Sequence, residues 1–448
     1  MPRAVRKKGL SHAQIMAIGF IIVIMSGTFL LMLPFASKTG QVTHFMDALF
    51  TAVSASCVTG LVIADTFTHW TLFGQIVILC MIQVGGMGVI TISAIVYRIF
   101  GQRIGLNMRN MIQESTYAFQ LDGIVKSLQR IFFRTFIIEA VGAALLSIRF
   151  IPMMGVGRGI WYGVFHSISA FCNAGFDLMG KFGQYSSLTH VYDDPLINFT
   201  IIGLILVGGL GFVVWDDIIT NKLRFRKYSL HSKVVVIMLA ALTGFGTILF
   251  LIFEHNNLFE GMPPGQMFMS ALFAAVTPRT AGFNTTDLAT MTQGGKLLTC
   301  LLMFIGGNSG STAGGIKTTT VIVMGAYIFS NLTRSPGVHI LKRRIGDENI
   351  KMASMVFGLN IGLIITALLV ISGIQRLPMD NLLLEVFSAM GTVGLSAGIT
   401  RALLPASRIV LMLLMFAGRV GTVTFAVSFR GNRRQSYINY PEEKINVG

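Results

Sequence analysis

Uninterrupted apolar runs constrain this chain more than any other feature of its sequence. Residues 15–33, 71–96 and 234–253 contain no acidic or basic side chain. A helix needs roughly 20 apolar residues to cross the hydrocarbon of a bilayer. A soluble protein would have to cover every face of these runs, yet only 12% of the residues are charged and the mean hydropathy is +0.70. The sequence therefore predicts an integral membrane protein.

The basic residues are concentrated between the apolar runs. In a soluble protein the net charge of +16 would suggest nucleic acid binding. Here the clusters follow the positive-inside pattern of membrane proteins instead. They are Arg3, Arg6, Lys7 and Lys8; Arg98, Arg103, Arg109, Lys126 and Arg130; Lys222, Arg224, Arg226, Lys227 and Lys233; Lys342, Arg343, Arg344 and Lys351; and Arg430, Arg433 and Arg434. We expect these links and both termini to be cytoplasmic, and we expect no nucleic acid partner.

Four segments repeat one pattern, in which an apolar stretch of about three helical turns ends in a small polar cluster around a single glycine. The central glycines are Gly60, Gly175, Gly282 and Gly394, at near-equal intervals along the chain. Each segment lies between two runs of membrane length. The pattern predicts an all-α integral membrane protein of four M1–pore loop–M2 repeats. It would have eight transmembrane helices and four re-entrant pore half-helices around a pseudo-fourfold pore.

The central segments are too short to cross a bilayer, so we expect each to enter and return on the same side. Non-helical backbone is tolerated at membrane depth only where protein buries it or where it lines a wet cavity. Four such loops around one axis would form rings of inward carbonyl groups, which can replace the water shell of a cation. The glycine supplies dihedral angles that a side chain resists.

The helices that follow the loops repeat a second, glycine-rich pattern. It occurs at residues 84–88, 207–211, 305–310 and 417–421. Small residues allow close approach of helices in a membrane. Four such patches at matching places indicate that these trailing helices face a shared axis.

These features together resemble the Trk/Ktr/HKT superfamily of cation transporters. The triplet Thr-Val-Gly at 392–394 is similar to the Thr-Val-Gly of potassium channels. VTPRTAGFN at 276–284, GGIK at 314–317 and AGR at 417–419 resemble the membrane subunits of bacterial Ktr potassium-uptake systems, the KtrB type. The resemblance implies potassium translocation through a channel-like pore, for potassium uptake under the control of a cytosolic subunit.

The resemblance also assigns a selectivity filter to the residues around each loop glycine. They are Val58, Thr59, Gly60 and Leu61; Asn173, Ala174, Gly175 and Phe176; Thr280, Ala281, Gly282 and Phe283; and Thr392, Val393, Gly394 and Leu395. Unlike potassium channels, no loop contains the whole Thr-Val-Gly-Tyr-Gly sequence. Only one glycine per loop is common to all four, so fewer carbonyl rings would be rigidly held.

Partners and ions follow from the same resemblance. It implies a homodimer in a bacterial plasma membrane, resting on a cytosolic ring of nucleotide-binding subunits of the KtrA/KtrC type. Potassium is the implied transported ion, with a possible sodium dependence and no organic cofactor. We expect no soluble domain at either end. The links around Arg224 and Arg343 and the tail at 430–448 are the candidate docking face, although positive-inside topology alone would also explain their charge.

The third trailing segment, residues 297–332, is too long for one straight crossing, and its middle is polar and rich in glycine. It could be a kinked helix packed on its neighbours or a flexible loop in the pore below the filter. The resemblance implies the second, with the loop acting as a gate. The candidate gate residues are Gly306, Gly307, Asn308, Ser309, Gly310, Ser311, Thr312, Ala313, Gly314, Gly315, Lys317 and Arg419.

Arg419 lies in the middle of an apolar helix, where a lone charge costs at least ~2.5–3.5 kcal/mol. It could anchor helix packing through carbonyl groups, or face the pore, repel cations and bond the gate loop. Lys317 could bind loop carbonyls or the opposite helix.

We expect four units at residues 1–97, 98–218, 219–335 and 336–448. The second would contain a cytoplasmic link, the third the broken M2 and the fourth a cytoplasmic tail.

A sodium- or proton-coupled potassium symporter with alternating access is the alternative function, since such proteins also use repeats and broken helices. They usually carry acids at the midplane, and here Glu139 is the candidate. Glu139 could relay protons or bond a structural partner, such as Arg134 or a neighbouring helix. His166 is interpreted as a packing residue. The sequence contains none of the common catalytic motifs, so we do not expect an enzyme.

Overall fold

The fold is described from a computed structural model covering residues 11–99, 105–116, 124–222, 224–428 and 443. The basic residues before position 11, Arg103, and the tail at 430–448 except Glu443 lie outside the described residues. The elements are almost all helices, because apolar backbone in a bilayer must satisfy its polar groups internally.

The first helix of each repeat, here called the leading helix, is long and apolar enough to cross a membrane. The four lengths run from 21 to 31 residues. The first leading helix begins at a capping box, in which the Ser11 hydroxyl accepts from the Gln14 N–H and the Gln14 side chain accepts from the Ser11 N–H. The leading helices are His12–Met32, Ile124–Met154, Leu230–Glu254 and Asp347–Ile374.

A short helix precedes each loop glycine, and these four are here called the pore helices. They contain 12 to 16 residues and rise about 18–24 Å, less than the roughly 30 Å of hydrocarbon in a bilayer. They are Phe45–Ser56, Val156–Phe171, Pro264–Val276 and Met379–Gly391. The predicted re-entrant half-helices and the all-α fold class are confirmed.

The first, second and fourth trailing helices differ from the single continuous transmembrane helices that the repeat pattern predicts. Each is broken by one glycine and bends there by 96°, 100° or 108°. Gly88, Gly211 and Gly421 have φ angles of +86°, +96° and +97°, where a side chain is strained. The broken pairs are Leu72–Met87 with Val89–Ile99, Pro195–Leu210 with Phe212–Asn221, and Pro405–Val420 with Thr422–Ser428.

The third trailing segment contains a loop rather than a kink. Gln293–Phe304 and Thr318–Leu332 are helical, and residues 305–317 between them are not. Ile305 and Ile316 form a single parallel bridge that closes the base of this loop. Of the eight predicted crossings, seven are therefore helices or bent pairs of membrane length in the described part of the chain, and the eighth is two short helices.

The remaining elements are small. One hairpin of two short strands connects the third and fourth repeats, and two helices lie in other links. They are the strands His339–Ile340 and Arg343–Arg344 and the helices Thr66–His69 and Leu106–Thr116. Single 3-10 turns occur at Pro34–Ala36, Met179–Lys181, Thr189–Val191, Phe225–Lys227, Leu288–Thr290 and Ile399–Ala402.

The glycine patches place the trailing helices directly on the ends of the pore helices. A Cβ atom added to Gly85 would lie 2.1 Å from the Ser56 carbonyl oxygen. The corresponding distance from Gly208 to the Phe171 oxygen is 2.0 Å, and from Gly418 to the Met390 oxygen 2.2 Å. Backbone contact of this kind leaves no room for a side chain, and it fixes how deeply each pore helix sits.

We predict that Gly208→Ala destabilises the protein, because the new methyl group would overlap the Phe171 carbonyl. Overpacking of this kind typically costs about 1–3 kcal/mol. Gly203→Ala in the same helix is the control, since a Cβ there meets no atom within 4 Å. Thermal unfolding in detergent should show a lower midpoint for Gly208→Ala alone. Equal midpoints for the two variants would contradict the backbone contact.

Candidate ion pathway

The four loops share an unusual backbone conformation. The residue two positions before each loop glycine has a positive φ, and so does the glycine, whereas the residue between them does not. Alternating handedness lets successive carbonyl groups point to the same side of the loop. The non-glycine residues with positive φ are Val58 at 55°, Asn173 at 59°, Thr280 at 70° and Thr392 at 52°.

The loops form a closed ring through their glycines. A Cβ atom on Gly60 would lie 2.5 Å from the carbonyl oxygen of Ala174 in the second repeat. The same contact then joins each repeat to the next and returns to the first. The distances are 2.8 Å from Gly175 to the Ala281 oxygen, 2.4 Å from Gly282 to the Val393 oxygen and 2.2 Å from Gly394 to the Thr59 oxygen. The structure thus brings the predicted filter segments together around one axis, in the order of the repeats.

Hydroxyl groups from the pore helices hold each loop from behind. Ser54 accepts a hydrogen bond from the Gly60 N–H at 3.1 Å, and Ser388 accepts one from the Gly394 N–H at 3.0 Å. In the other two loops the hydroxyl donates to the carbonyl after the glycine. These bonds are Ser169 to the Phe176 oxygen at 2.7 Å and Thr277 to the Phe283 oxygen at 2.5 Å. Sequence reasoning missed these residues, although a hydroxyl five or six positions before each glycine was a usable signal.

A cavity of about 270 Å³ opens on the loop glycines and is here called the vestibule. Asp65, Asp177 and Asp287 line it together with polar groups of the loops. Arg401 also lines the vestibule, with its guanidinium 4.0 Å from the centre of the Tyr185 ring. Acidic groups in a concave mouth raise the local concentration of cations.

The gate loop, residues 305–317, contacts the second repeat through its first half. The Asn308 side chain donates to the Gly209 carbonyl at 2.8 Å. The Gly310 carbonyl accepts from the Phe212 N–H at 2.8 Å, next to the bend of that trailing helix. Thr312 donates to the carbonyl at the end of the second pore helix, that of Phe171, at 3.1 Å.

The second half of the gate loop contacts the fourth repeat. The Gly315 N–H donates to the Gly418 carbonyl at 3.2 Å. A Cβ atom on Gly314 would lie 2.1 Å from the hydroxyl oxygen of Thr392, at the base of the fourth filter segment. The loop therefore lies directly under the ring, wedged between the second and fourth repeats.

Arg419 ties this loop to a third neighbour. Its guanidinium donates to the carbonyl groups of Thr312 in the gate loop and of Gly85 and Gly86 in the first repeat. The Lys317 ammonium donates to the Ala313 carbonyl at 2.7 Å, so it binds the loop rather than the opposite helix. Both cationic residues line a cavity of about 660 Å³ beside the gate loop. Two basic side chains therefore border this cavity next to the gate loop.

The remaining candidates have structural partners. Both carboxylate oxygens of Glu139 accept from the Gln83 side chain, at 3.0 and 3.1 Å. The expected partner Arg134 pairs with Asp216 instead, at 2.5 Å, so the neighbouring helix is the correct alternative. His166 lies among aromatic rings, as a packing residue should, but its ring also accepts a hydrogen bond from the Leu178 N–H at 3.3 Å. Within the described ranges, no cluster of three His, Cys, Asp or Glu residues could hold a metal ion.

Comparison with known proteins points to one family. The model of the TrkH family, described as cation transport protein, matches residues 7–438. The potassium/sodium uptake protein NtpJ of Enterococcus hirae is 40% identical, and the alignment covers 100% of this chain and 99% of that protein. The Ktr system potassium uptake protein B of Bacillus subtilis is 37% identical over 97% of this chain and 96% of its own length.

The fold also matches a solved structure. The crystal structure of the potassium transporter TrkH from Vibrio parahaemolyticus superposes with a TM-score of 0.73. The match covers 96% of this chain and 86% of that one at 17% sequence identity.

Proposed function

Because this chain belongs to the TrkH family of cation transport proteins, we propose that it conducts potassium ions across a membrane through the ring of four loops. The observation that carries the proposal is the closed sequence of glycine–carbonyl contacts around one axis. Carbonyl rings replace the hydration shell of a cation. The pore helices end at the ring, so their partial negative charge favours a cation there. The names of the relatives, a potassium/sodium uptake protein and a potassium uptake protein, agree with potassium as the ion.

The proposal includes the arrangement of the chain. The four units are residues 1–97, 98–218, 219–335 and 336–448, in a bacterial plasma membrane with both termini in the cytoplasm. The vestibule with its three aspartates then faces outward, and the cavity beside Arg419 faces the cytoplasm. The four loops already form a complete ring, so ions could pass without a rearrangement of whole repeats. A channel-like path is therefore simpler than alternating access. A possible sodium dependence is compatible with either mechanism, and one relative is named a potassium/sodium uptake protein.

The first test is uptake of rubidium, a potassium substitute, in cells that lack their own potassium uptake systems. We expect the wild type to transport it and Gly60→Ser to discriminate less between potassium and sodium. Gly60 has a φ of +92°, and a side chain there would push against the Ala174 carbonyl, one of the ring oxygens. Gly40→Ser is the control, because Gly40 also has a positive φ, +67°, but no atom lies within 4 Å of its Cβ position.

Two results would overturn this assignment. If the wild type transported neither rubidium nor potassium, the proposed function would be wrong. If it transported both and Gly60→Ser retained the discrimination of Gly40→Ser, Gly60 would not belong to the filter.

The gate loop is the proposed point of control. It fills the path below the ring while its bonds to the second and fourth repeats hold, and Arg419 fastens it to the first. Few apolar side chains in the loop oppose a change of conformation. When the loop and Arg419 separate, the cavity of about 660 Å³ connects with the filter and the ion passes.

We predict that deleting residues 307–314 raises potassium flux. The flux should also become independent of the nucleotide bound by the cytosolic ring that we propose as the partner. Arg419→Ala should do part of the same, since it removes three bonds to carbonyl groups and one positive charge. Arg408→Ala is the matched control, because Arg408 lies in the same helix but binds Asp47, at 2.9 Å. Flux into vesicles of purified protein measures the effect. If the first two variants fold and conduct no faster than Arg408→Ala, the gate lies elsewhere.

The proposed partners are a second copy of this chain and a cytosolic nucleotide-binding ring. The relatives named Ktr system proteins imply an assembly of more than one protein. The link around Arg224 and the hairpin that ends at Arg343 and Arg344 are exposed and basic, which suits a docking face. The tail at 430–448, also proposed for docking, lies outside the described residues apart from Glu443.

We predict that the double variant Arg343→Glu, Arg344→Glu weakens binding of a ring of the Ktr type, because it reverses two exposed charges on the hairpin. Arg376→Glu is the control, being exposed after the fourth leading helix, on the other side of the membrane in the proposed topology. Co-elution of detergent-solubilised protein with the ring, with mass measurement, gives binding and oligomeric state together. A wild-type chain that stays monomeric and binds no ring would contradict both partners.

A further inference from the structure

The position nine residues before each loop glycine distinguishes the repeats from one another. It lies in the pore helix, is buried in all four repeats, and has chemically unlike occupants. They are Thr51, His166, Phe273 and Glu385 in repeats one to four. In the second and fourth repeats this side chain reaches the loop segment that follows the glycine.

Glu385 is fully buried and binds that segment through both carboxylate oxygens. One oxygen accepts from the Ser396 hydroxyl at 2.7 Å and the other from the Thr400 hydroxyl at 2.5 Å. The two hydroxyl oxygens are 3.0 Å apart, and Ser396 also accepts from the Gly398 N–H at 3.0 Å. Glu385 therefore closes a compact polar cluster that holds the outer part of the fourth loop against its own pore helix.

His166 makes the equivalent connection in the second repeat, and it too is fully buried. The Leu178 N–H, three residues beyond the loop glycine, donates to its Nε2 atom at 3.3 Å. Nδ1 lies 2.8 Å from the Tyr162 carbonyl. A ring that accepts at Nε2 and donates at Nδ1 is a neutral imidazole fixed in one tautomer. The second loop is thus also braced from its pore helix.

The first and third repeats have a different side chain at this position. The Thr51 hydroxyl donates to the Asp47 carbonyl within its own helix, at 2.9 Å. Phe273 is buried in an apolar environment and offers no polar group. Because the ring runs in the order of the repeats, the two braced loops lie opposite each other across the pore.

We propose that Glu385 and His166 are positioning residues that brace two opposite filter loops, so that discrimination between potassium and sodium depends on one diagonal of the ring. The inference rests on the proposed function of these loops as a potassium filter. Each loop has a single shared glycine, and the ring is narrow enough for neighbouring backbones to touch. Discrimination then requires the carbonyl groups to keep their spacing around the ion. The outer segment of a loop controls that spacing, because it continues directly from the glycine.

The experiment compares five single variants in vesicles of purified protein, with potassium and sodium flux measured separately. For Glu385→Ala we expect discrimination to fall about tenfold, equivalent to about 1.4 kcal/mol. Glu385→Gln should restore most of it, since its amide can accept from Thr400 and donate to Ser396. Thr51→Ala and Phe273→Leu change the same position in the other two repeats. They should alter the ratio of potassium to sodium flux by less than about twofold. His166→Ala should behave like Glu385→Ala.

A general loss of structure would not produce this pattern. Deleting residues 307–314 should still raise flux in the Glu385→Ala background. The reason is that the contacts of Glu385 are on the far side of the ring from the gate loop. If Glu385→Ala does not fold, the double variant Ser396→Ala, Thr400→Val removes the same bonds from the loop side and should lower discrimination equally.

The outcomes distinguish failure of the proposed function from failure of this inference. A wild type that moves no potassium overturns the proposed function. A wild type that moves potassium selectively, with Glu385→Ala or the double variant no different from Thr51→Ala, overturns this inference and leaves the proposed function standing.

Discussion

The contact between each loop glycine and the carbonyl group of the next repeat is the constraint on which the rest of the structure depends. Four such contacts close a ring only if four pore helices end at the same level around one axis. Their ends in turn are held by the trailing helices, where Gly85, Gly208 and Gly418 pack on the terminal carbonyls. The absence of side chains at these positions is thus what allows short helices and irregular loops to exist at membrane depth.

The same close packing determines how the gate loop is held below the ring. The gate loop has no room to lie free, so its polar groups bond the backbone of the repeats on either side. Arg419 makes this arrangement possible, because a guanidinium can serve several carbonyl groups at once and so remain buried in a bilayer. One residue from the fourth repeat thereby joins loop segments of the third repeat to the first. The position of the gate loop therefore depends on all four repeats together.

The sequence predicted those structural features that correspond to a repeated residue pattern or to an unusual local composition. Loop glycines at near-equal intervals predicted the four re-entrant segments, and the polar stretch at 306–315 predicted a break in one trailing helix. The bends at Gly88, Gly211 and Gly421 were not predicted, because glycine in a membrane helix serves close packing and chain reversal equally well. The sequence did not identify the hydrogen-bond partner of Glu139. Gln83 is distant in sequence and belongs to another repeat, whereas Arg134 is nearby in the same helix as Glu139.

The gate loop is best understood as an enlarged version of the bend in the other trailing helices. The last glycine of each glycine-rich patch has a positive φ, and this includes Gly310 at +68°. After Gly88, Gly211 and Gly421 a helix resumes at once with an apolar or threonine residue. Around Gly310 the neighbours are asparagine, serine and threonine, whose side chains compete for backbone hydrogen bonds and delay the next helix.

That delay has a consequence for the proposed role of the loop as a gate. A bend that continues directly into a helix resumes hydrogen bonding within its own segment at once, although single groups at the bends, such as the Phe212 N–H, also bond other repeats. The gate loop pairs many of its groups with the second and fourth repeats instead, and those bonds can be exchanged for water once the pore is wet. In the proposed mechanism the loop is consequently stable while the path is closed and dry, and it can leave without exposing unpaired buried polar groups. The mechanism assigns the fixed frame to three repeats and the moving part to the third, because only there does the bend not continue into a helix within the described residues.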